Sequence, residues 1–93
     1  MESNILYRKG ADLLRAMAHP TRIEIMTMLL DRKECVYEFE QALLKSQPNI
    51  SQHLNVLRKC GIVDYFQIGN RRCYYLVDRK SIYKILGCLR RII

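Results

Sequence analysis

Residues 46–60 read Ser46-Gln47-Pro48-Asn49-Ile50-Ser51-Gln52-His53-Leu54-Asn55-Val56-Leu57-Arg58-Lys59-Cys60. Ile50, Leu54 and Leu57 are spaced i, i+4, i+7, which gives a helix one buried face. The other face carries Gln47, Asn49, Ser51, Gln52, His53 and Asn55. These side chains are short or amide-bearing donors and acceptors without net charge, the kind that pairs with base edges in a DNA major groove. Arg58 and Lys59 close the helix, where cations suit both the helix dipole and DNA phosphates. The stretch predicts a helix that reads nucleic acid.

Working outward, a short helix is expected over Val36–Leu44, with Val36, Phe39, Leu43 and Leu44 inward and Glu38, Glu40 and Gln41 outward. A Lys45-Ser46-Gln47 turn joins it to the recognition helix, which Gly61 ends as a left-handed terminator. The two helices make a helix-turn-helix. Downstream, 63–68 and 72–77 are rich in β-branched and aromatic residues around Gly69-Asn70-Arg71, a hairpin signal. Cys73, Tyr75 and Val77 share one strand face, which we assign as the inward one. Arg71 and Arg72 stand at the tip, placed for phosphate or a minor groove. Such a hairpin after a helix-turn-helix is a wing.

Three further helices complete the chain. The first, over 4–18, carries Ile5, Leu6, Leu13, Leu14, Met17 and Ala18 as an apolar stripe. His19-Pro20 breaks it, and Pro20 suits the first turn of the second, Pro20–Leu30, which is apolar on most sides and so central to the core. The last, over 79–92, lines one side with Ile82, Ile85, Leu86, Leu89 and Ile92. A domain of 93 residues has little left for that stripe to pack on. Leu6 and Leu13 with Ile82, Ile85, Leu86 and Leu89 are therefore expected to form a dimer interface; ordinary packing of the last helix on its own core is the alternative. The fold class is mainly α with a small β-hairpin: a single winged helix-turn-helix domain over 1–93, with five helices, a two-stranded wing and a dimeric assembly.

Charge supports the same partner. Residues 1–45 hold seven Lys/Arg and seven Asp/Glu, whereas residues 46–93 hold nine and two, so the whole net charge of +7 lies on the half with the recognition helix. That asymmetry favours a polyanion; a merely solvated basic surface is the alternative. No stretch of eighteen apolar residues exists to span a membrane, and the N-terminus lacks a signal-peptide pattern. The cytoplasm is the expected compartment, with Cys35, Cys60, Cys73 and Cys88 as reduced thiols. No Gly-rich phosphate loop, paired carboxylates or nucleophile–base arrangement suggests an enzyme.

At this point the chain resembles the arsenic-repressor (ArsR/SmtB) family of winged-helix regulators. Ala16-Met17-Ala18-His19-Pro20-Thr21-Arg22-Ile23-Glu24-Ile25 is similar to the family's Ala-x-Pro-Thr-Arg-x-x-Ile segment. Residues 46–54 and 56–63 resemble its recognition helix and the turn into the wing, and Gly69–Val77 resembles the wing itself. The resemblance implies a homodimer in which the first and last helices pair. It also implies a repressor that binds a double-stranded operator of imperfect two-fold symmetry and leaves it when an inducer binds.

The resemblance also directs attention to candidate sensor residues. Lys33-Glu34-Cys35-Val36-Tyr37-Glu38-Phe39 resembles the family's metal box, Glu-x-Cys-Val-Cys-Asp-Leu. Cys35 matches the first thiol and Glu38 the acid, but Tyr37 replaces the second thiol, a poor substitute for a soft thiolate. A second family site needs Asp and His on the last helices, and residues 79–93 contain neither. Cys35 lies near a helix N-terminus, which favours the thiolate. Some relatives that sense reactive sulfur pair such a cysteine with one on the last helix, so Cys88 is the expected partner of Cys35. Cys60 and Cys73 read as packing residues, His19 as a cap or surface residue.

The expected function is a homodimeric, sequence-specific repressor released by a thiol-reactive effector: a metalloid, a soft metal or a reactive sulfur or redox species. The DNA-contacting set is Ser46, Gln47, Asn49, Ser51, Gln52, His53, Arg58, Lys59, Arg71 and Arg72. No cofactor is required, although a thiolate-bound metal or metalloid fits the cysteines. The alternatives are a repressor without a small-molecule switch and a winged helix serving as an architectural or protein-interaction module.

Overall fold

The computed structural model describes residues 2–93. Among the described residues five helices pack with a small antiparallel sheet: α1 (Ser3–Met17), α2 (Pro20–Asp31), β1 (Glu34–Cys35), α3 (Val36–Leu43), α4 (Gln47–Lys59), β2 (Val63–Ile68), β3 (Arg71–Leu76) and α5 (Arg79–Ile92). The expected helices are present to within a residue or so at their ends, and β2 and β3 form the wing. The sheet has a third strand that the sequence reading lacked. Glu34 and Cys35 pair with Tyr74 and Cys73, giving the order β1-β3-β2.

Local chemistry sets the boundaries. His19 caps α2, its Nδ1 accepting from the Thr21 N–H at 3.0 Å, and Pro20 follows in the first turn. Ser46 Oγ accepts from Asn49 N–H to start α4, and Asp78 accepts from Ser81 N–H at 3.0 Å to start α5. Gly61, at φ 83°, supplies the left-handed turn between α4 and β2. Gly69, at φ 63°, opens the hairpin loop, and Asn70 keeps a negative φ, the pattern of a type II′ turn with Ile68 opposite Arg71.

The core forms around α2, whose Ile25, Met26 and Leu29 are buried with Phe39 of α3, Ile50, Leu54 and Leu57 of α4, Val63 of β2 and Ile82 and Leu86 of α5. Several expectations are corrected here. Tyr74 and Leu76 of β3 face this core, and Cys73 and Tyr75 lie on the opposite face of the sheet; Cys73 is buried on this central strand between β1 and β2. Leu44 does not face inward: it is 90% exposed in the left-handed conformation, φ 54° and ψ 42°, where the chain turns from α3 toward α4. Ile82 and Leu86 pack on their own protomer's core rather than awaiting a partner. By contrast Leu6, Leu13, Ile85 and Leu89 remain exposed, because α1 enters the core only through Ala16 and Met17.

His53 is corrected as well. It lies three residues beyond Ile50 and four before Leu57, so the helix turns it inward to 9% exposure. Its ring sits 4.4 Å from that of His19, and Arg22 Nη1 lies 3.1 Å from its Nδ1. A guanidinium only donates, so Nδ1 accepts and the imidazole is neutral. Burial, reinforced by His19, Arg22 and Lys45, holds its pKa below the ordinary histidine value.

Leu44→Gly is expected to raise the unfolding free energy by about 1 kcal/mol, since it relieves a left-handed L-residue and removes no buried contact; urea denaturation at fixed protein concentration measures it, and no gain would refute a strained turn. His53 favours its neutral form when folded, so its contribution to stability is whole above its unfolded pKa, about 6.5, and falls as pH drops through that value toward the folded pKa. Thermal unfolding followed from about pH 8 to about pH 5 should show this loss, and His53→Gln should flatten it; an equally steep loss in the variant would place the titration elsewhere.

Candidate nucleic-acid interface

The buried edge of α4 leaves the opposite edge open. Gln47, Asn49, Gln52 and Asn55 are exposed and Ser51 is half-buried. Gln47 Nε2 donates to Ser51 Oγ at 2.6 Å, one turn on, so the start of this face is partly pre-arranged. Ser46 is exposed, with its hydroxyl engaged as the cap. Lys59 is exposed at the far end.

The wing stands beside this face. A cleft of about 410 Å³ separates them, lined by Gln47, Ser51 and Asn55 from α4, Cys35 from β1, Tyr37 and the carboxylate of Glu40 from α3, and Asn70, Arg71 and Arg72 from the wing tip. Of the expected residues the cleft brings together Gln47, Ser51, Arg71 and Arg72; Asn49 and Gln52 are exposed on α4 outside it, and Lys59 lies toward Asp12 and Arg15 of α1. The amide-bearing groups can present donors and acceptors to base edges while the tip arginines meet phosphates.

Two of the expected cations have structural ties. Arg58 Nε donates to Asp64 Oδ1 at 3.0 Å, and its guanidinium lies 4.6 Å from the centre of the Tyr65 ring. The Arg72 guanidinium lies at the same 4.6 Å from Tyr65. One tyrosine at the base of the wing therefore engages a cation from the end of α4 and another from the wing tip. The hydrogen bond from Arg58, followed by that from Tyr65 N–H, holds the Asp64 carboxyl below its ordinary range. Arg58 couples helix to wing, a role invisible in its sequence position.

The cysteines are arranged differently from the expectation. Cys35 is disulfide-bonded to Cys73, 38 residues away, across the β1–β3 ladder; Cys88 is a free, exposed thiol on α5 and Cys60 a free, half-buried one. Cys35 also caps α3: its sulfur accepts from the backbone N–H of Glu38, and the Glu38 carboxylate accepts from Cys35 N–H at 2.8 Å. That backbone hydrogen bond is the main reason the Glu38 carboxyl is held below its ordinary value, while burial pushes that of Glu34 up. The family's two-thiol metal box does not fit these residues, because the first thiol is bonded to Cys73 and the second position is the exposed Tyr37. Among the described residues no three His, Cys, Asp or Glu side chains gather as a metal site. No helix of the described residues is long and apolar enough to cross a membrane.

Comparison with known proteins gives this geometry its context. Residues 19–65 match the family model described as bacterial regulatory protein, arsR family. An HTH-type transcriptional regulator of Methanocaldococcus jannaschii is 40% identical over 83 residues, covering 86% of this chain and 93% of that protein. The transcriptional repressor BigR from Xylella fastidiosa superposes with a TM-score of 0.81 at 29% identity, over 100% of this chain and 97% of that one. A homodimeric winged helix-turn-helix DNA-binding domain from Mycobacterium bovis has the same fold, with a TM-score of 0.85 at 18% identity over 99% of this chain and 86% of that one. With its recognition helix, wing and sequence kinship in agreement, this chain belongs to the ArsR family of bacterial regulatory proteins and is a DNA-binding transcriptional regulator.

Proposed function

We propose that the protein is a homodimeric repressor that binds an operator of two-fold symmetry and is released by a thiol-reactive effector acting at Cys35. One observation carries the reading: an uncharged, amide-rich helix face stands open across a single cleft from a basic wing tip. Gln47 and Gln52 are assigned to base edges, with Asn49 and Ser51 beside them; Arg71, Arg72 and Lys59 are assigned to phosphates, and Ser46 to the backbone at the helix start. The repressor role is supported by the kinship to BigR.

Dimerisation is assigned to α1 and α5 through Leu6, Leu13, Ile85 and Leu89. These residues are exposed in the protomer although their helices are otherwise amphipathic. The Mycobacterium bovis domain of the same fold is homodimeric. A dimer would carry two recognition helices, which successive major grooves about 34–36 Å apart accept together.

The test begins with duplexes selected by the reduced protein from a random-sequence pool. Gln52→Ala should cost about 1–3 kcal/mol on the selected duplex and little on random DNA, while Arg71→Ala with Arg72→Ala should weaken both and flatten the salt dependence. Equal losses from Gln52→Ala on the two duplexes, or an unchanged slope in the arginine variant, would remove those residues from their assigned roles. Leu89→Glu, outside the protomer core, should give a folded monomer in sedimentation that holds the selected duplex weakly. A Leu89→Glu dimer of unchanged stability would take α5 out of the interface.

A further inference from the structure

We infer that Cys35 and Cys73 form a reversible redox site that fastens the wing to the helix-turn-helix, and that closing the bond lowers affinity for the operator. The inference rests on the DNA-binding reading above and specifies its regulation. Cys35 and Cys73 are direct partners in the β1–β3 register, with Cα atoms 4.1 Å apart. β1 contributes only two residue pairs, Glu34 with Tyr74 and Cys35 with Cys73, so the sulfur bond is a large share of what joins this strand to the wing. Its two ends are well placed to matter. Cys35 immediately precedes α3, the first helix of the helix-turn-helix, and Cys73 immediately follows the tip arginines Arg71 and Arg72.

Access to the pair runs through the DNA-facing side. Cys35 is half-buried and lines the cleft between α4 and the wing, whereas Cys73, on the central strand between β1 and β2, is 7% exposed. Cys35 is therefore the sulfur that a reagent meets first, and the backbone N–H of Glu38 that donates to it stabilises a thiolate there. A low-molecular-weight disulfide such as oxidised glutathione supplies the oxidant. The Cys35 thiolate attacks one of its sulfurs and expels the other as a thiolate, leaving a mixed disulfide; the Cys73 thiolate then attacks Cys35 Sγ and expels the second thiolate. Two protein thiols become one bond, and one small disulfide becomes two thiols. A reducing pool of the same chemistry reverses both steps. Where cytosolic disulfides occur they are usually transient or sensing ones, and a DNA-binding regulator works among such pools.

The sign follows from the wing's task. Base reading by α4 and phosphate contact by the tip must be satisfied together, and with two thiols the wing is held on this side by a two-residue ladder and by the Lys33 ammonium 5.3 Å from the Phe66 ring centre, non-covalent ties that leave it room to adjust. The closed bond draws the middle of β3 against the start of α3 and removes that adjustment. Because the two sites are linked, DNA must favour the dithiol by the same factor as the dithiol favours DNA.

The test uses the whole chain equilibrated in reduced and oxidised glutathione, trapped by alkylation and mapped by mass spectrometry. The duplex is the one selected by the reduced protein from a random pool. Oxidation should yield a Cys35–Cys73 linked peptide and weaken duplex binding about tenfold, within the range common for coupled sites. The duplex should shift the glutathione ratio at half-oxidation toward the dithiol by the same factor. Cys35→Ser, which leaves only the buried Cys73 at this site, should bring the ratio of reduced to oxidised affinities to one, and Cys60→Ser with Cys88→Ser should leave it at the wild-type value. A Cys35–Cys88 link, or equal binding of the selected duplex in both redox states, would overturn the inference while leaving the DNA reading intact. A reduced chain that selects no duplex would overturn the proposed function, and this inference with it.

Discussion

Ile50, Leu54 and Leu57 enter the core with no exposed surface, and His53 between them accepts a hydrogen bond from Arg22. That seat is what the rest of the molecule is arranged around. A helix that reads bases must hold its outer side chains to within fractions of an ångström, and an amide-rich face supplies no packing of its own. The holding force comes from the opposite face, where close-packed apolar side chains resist sliding and rotation. His53 adds a directional element. Arg22, which donates to it, also donates to the Ala16 carbonyl near the end of α1, so one guanidinium ties the recognition helix to α2 and α1. The neutral imidazole is thus a structural part of the reading helix rather than one of its reading groups.

The sheet divides its labour by face. Tyr65, Tyr74 and Leu76 form the side toward the helices, with the Tyr65 and Tyr74 ring centres 5.3 Å apart. Phe66, Cys73 and Tyr75 form the other side, joined at the edge by Cys35. The first face anchors the wing in the protomer and the second carries its sulfur chemistry. Arg58 and Arg72 around Tyr65 give a third connection, from the end of α4 to the tip. Helix and wing are consequently coupled through cation–ring contacts on one face and through a covalent bond on the other.

Much of this was legible in the sequence because strong local signals agreed with one another. The apolar spacing in α4, Pro20 after His19, and the Gly69 hairpin between two β-branched runs each specify an element, and their order specifies the winged fold. What escaped the reading was set by contacts between distant segments. His53 could have been found, since Ile50, His53, Leu54 and Leu57 fall on one helical face, but its polarity argued for the outside. The face of β3 was misassigned because Cys73-Tyr74-Tyr75-Leu76 is apolar at every position, so alternation carries no information there. β1 is only two residues long, too short for any periodicity, and its pairing with β3 was therefore invisible, together with the Cys35–Cys73 contact. Along α5 one continuous stripe serves two surfaces: Ile82 and Leu86 are spent on the protomer core, and Ile85 and Leu89 remain for something else.

The two-residue hairpin loop turns the wing into a measuring rod. β2 and β3 are six residues each and fully paired from Val63 with Leu76 to Ile68 with Arg71. At about 3.3 Å per residue the tip stands about 17–20 Å from the wing's base. This is close to half a turn of duplex DNA, given a full turn of about 34–36 Å. With no slack in the loop, strand length alone fixes how far from the protomer Arg71 stands. Lengthening both strands by one residue would also invert the faces on which the tip side chains project. Lengthening by two would preserve those faces and carry the tip about 7 Å farther. Wing length in this architecture is thus quantised in pairs of residues, so a regulator built on it can change the reach of its wing only in discrete steps.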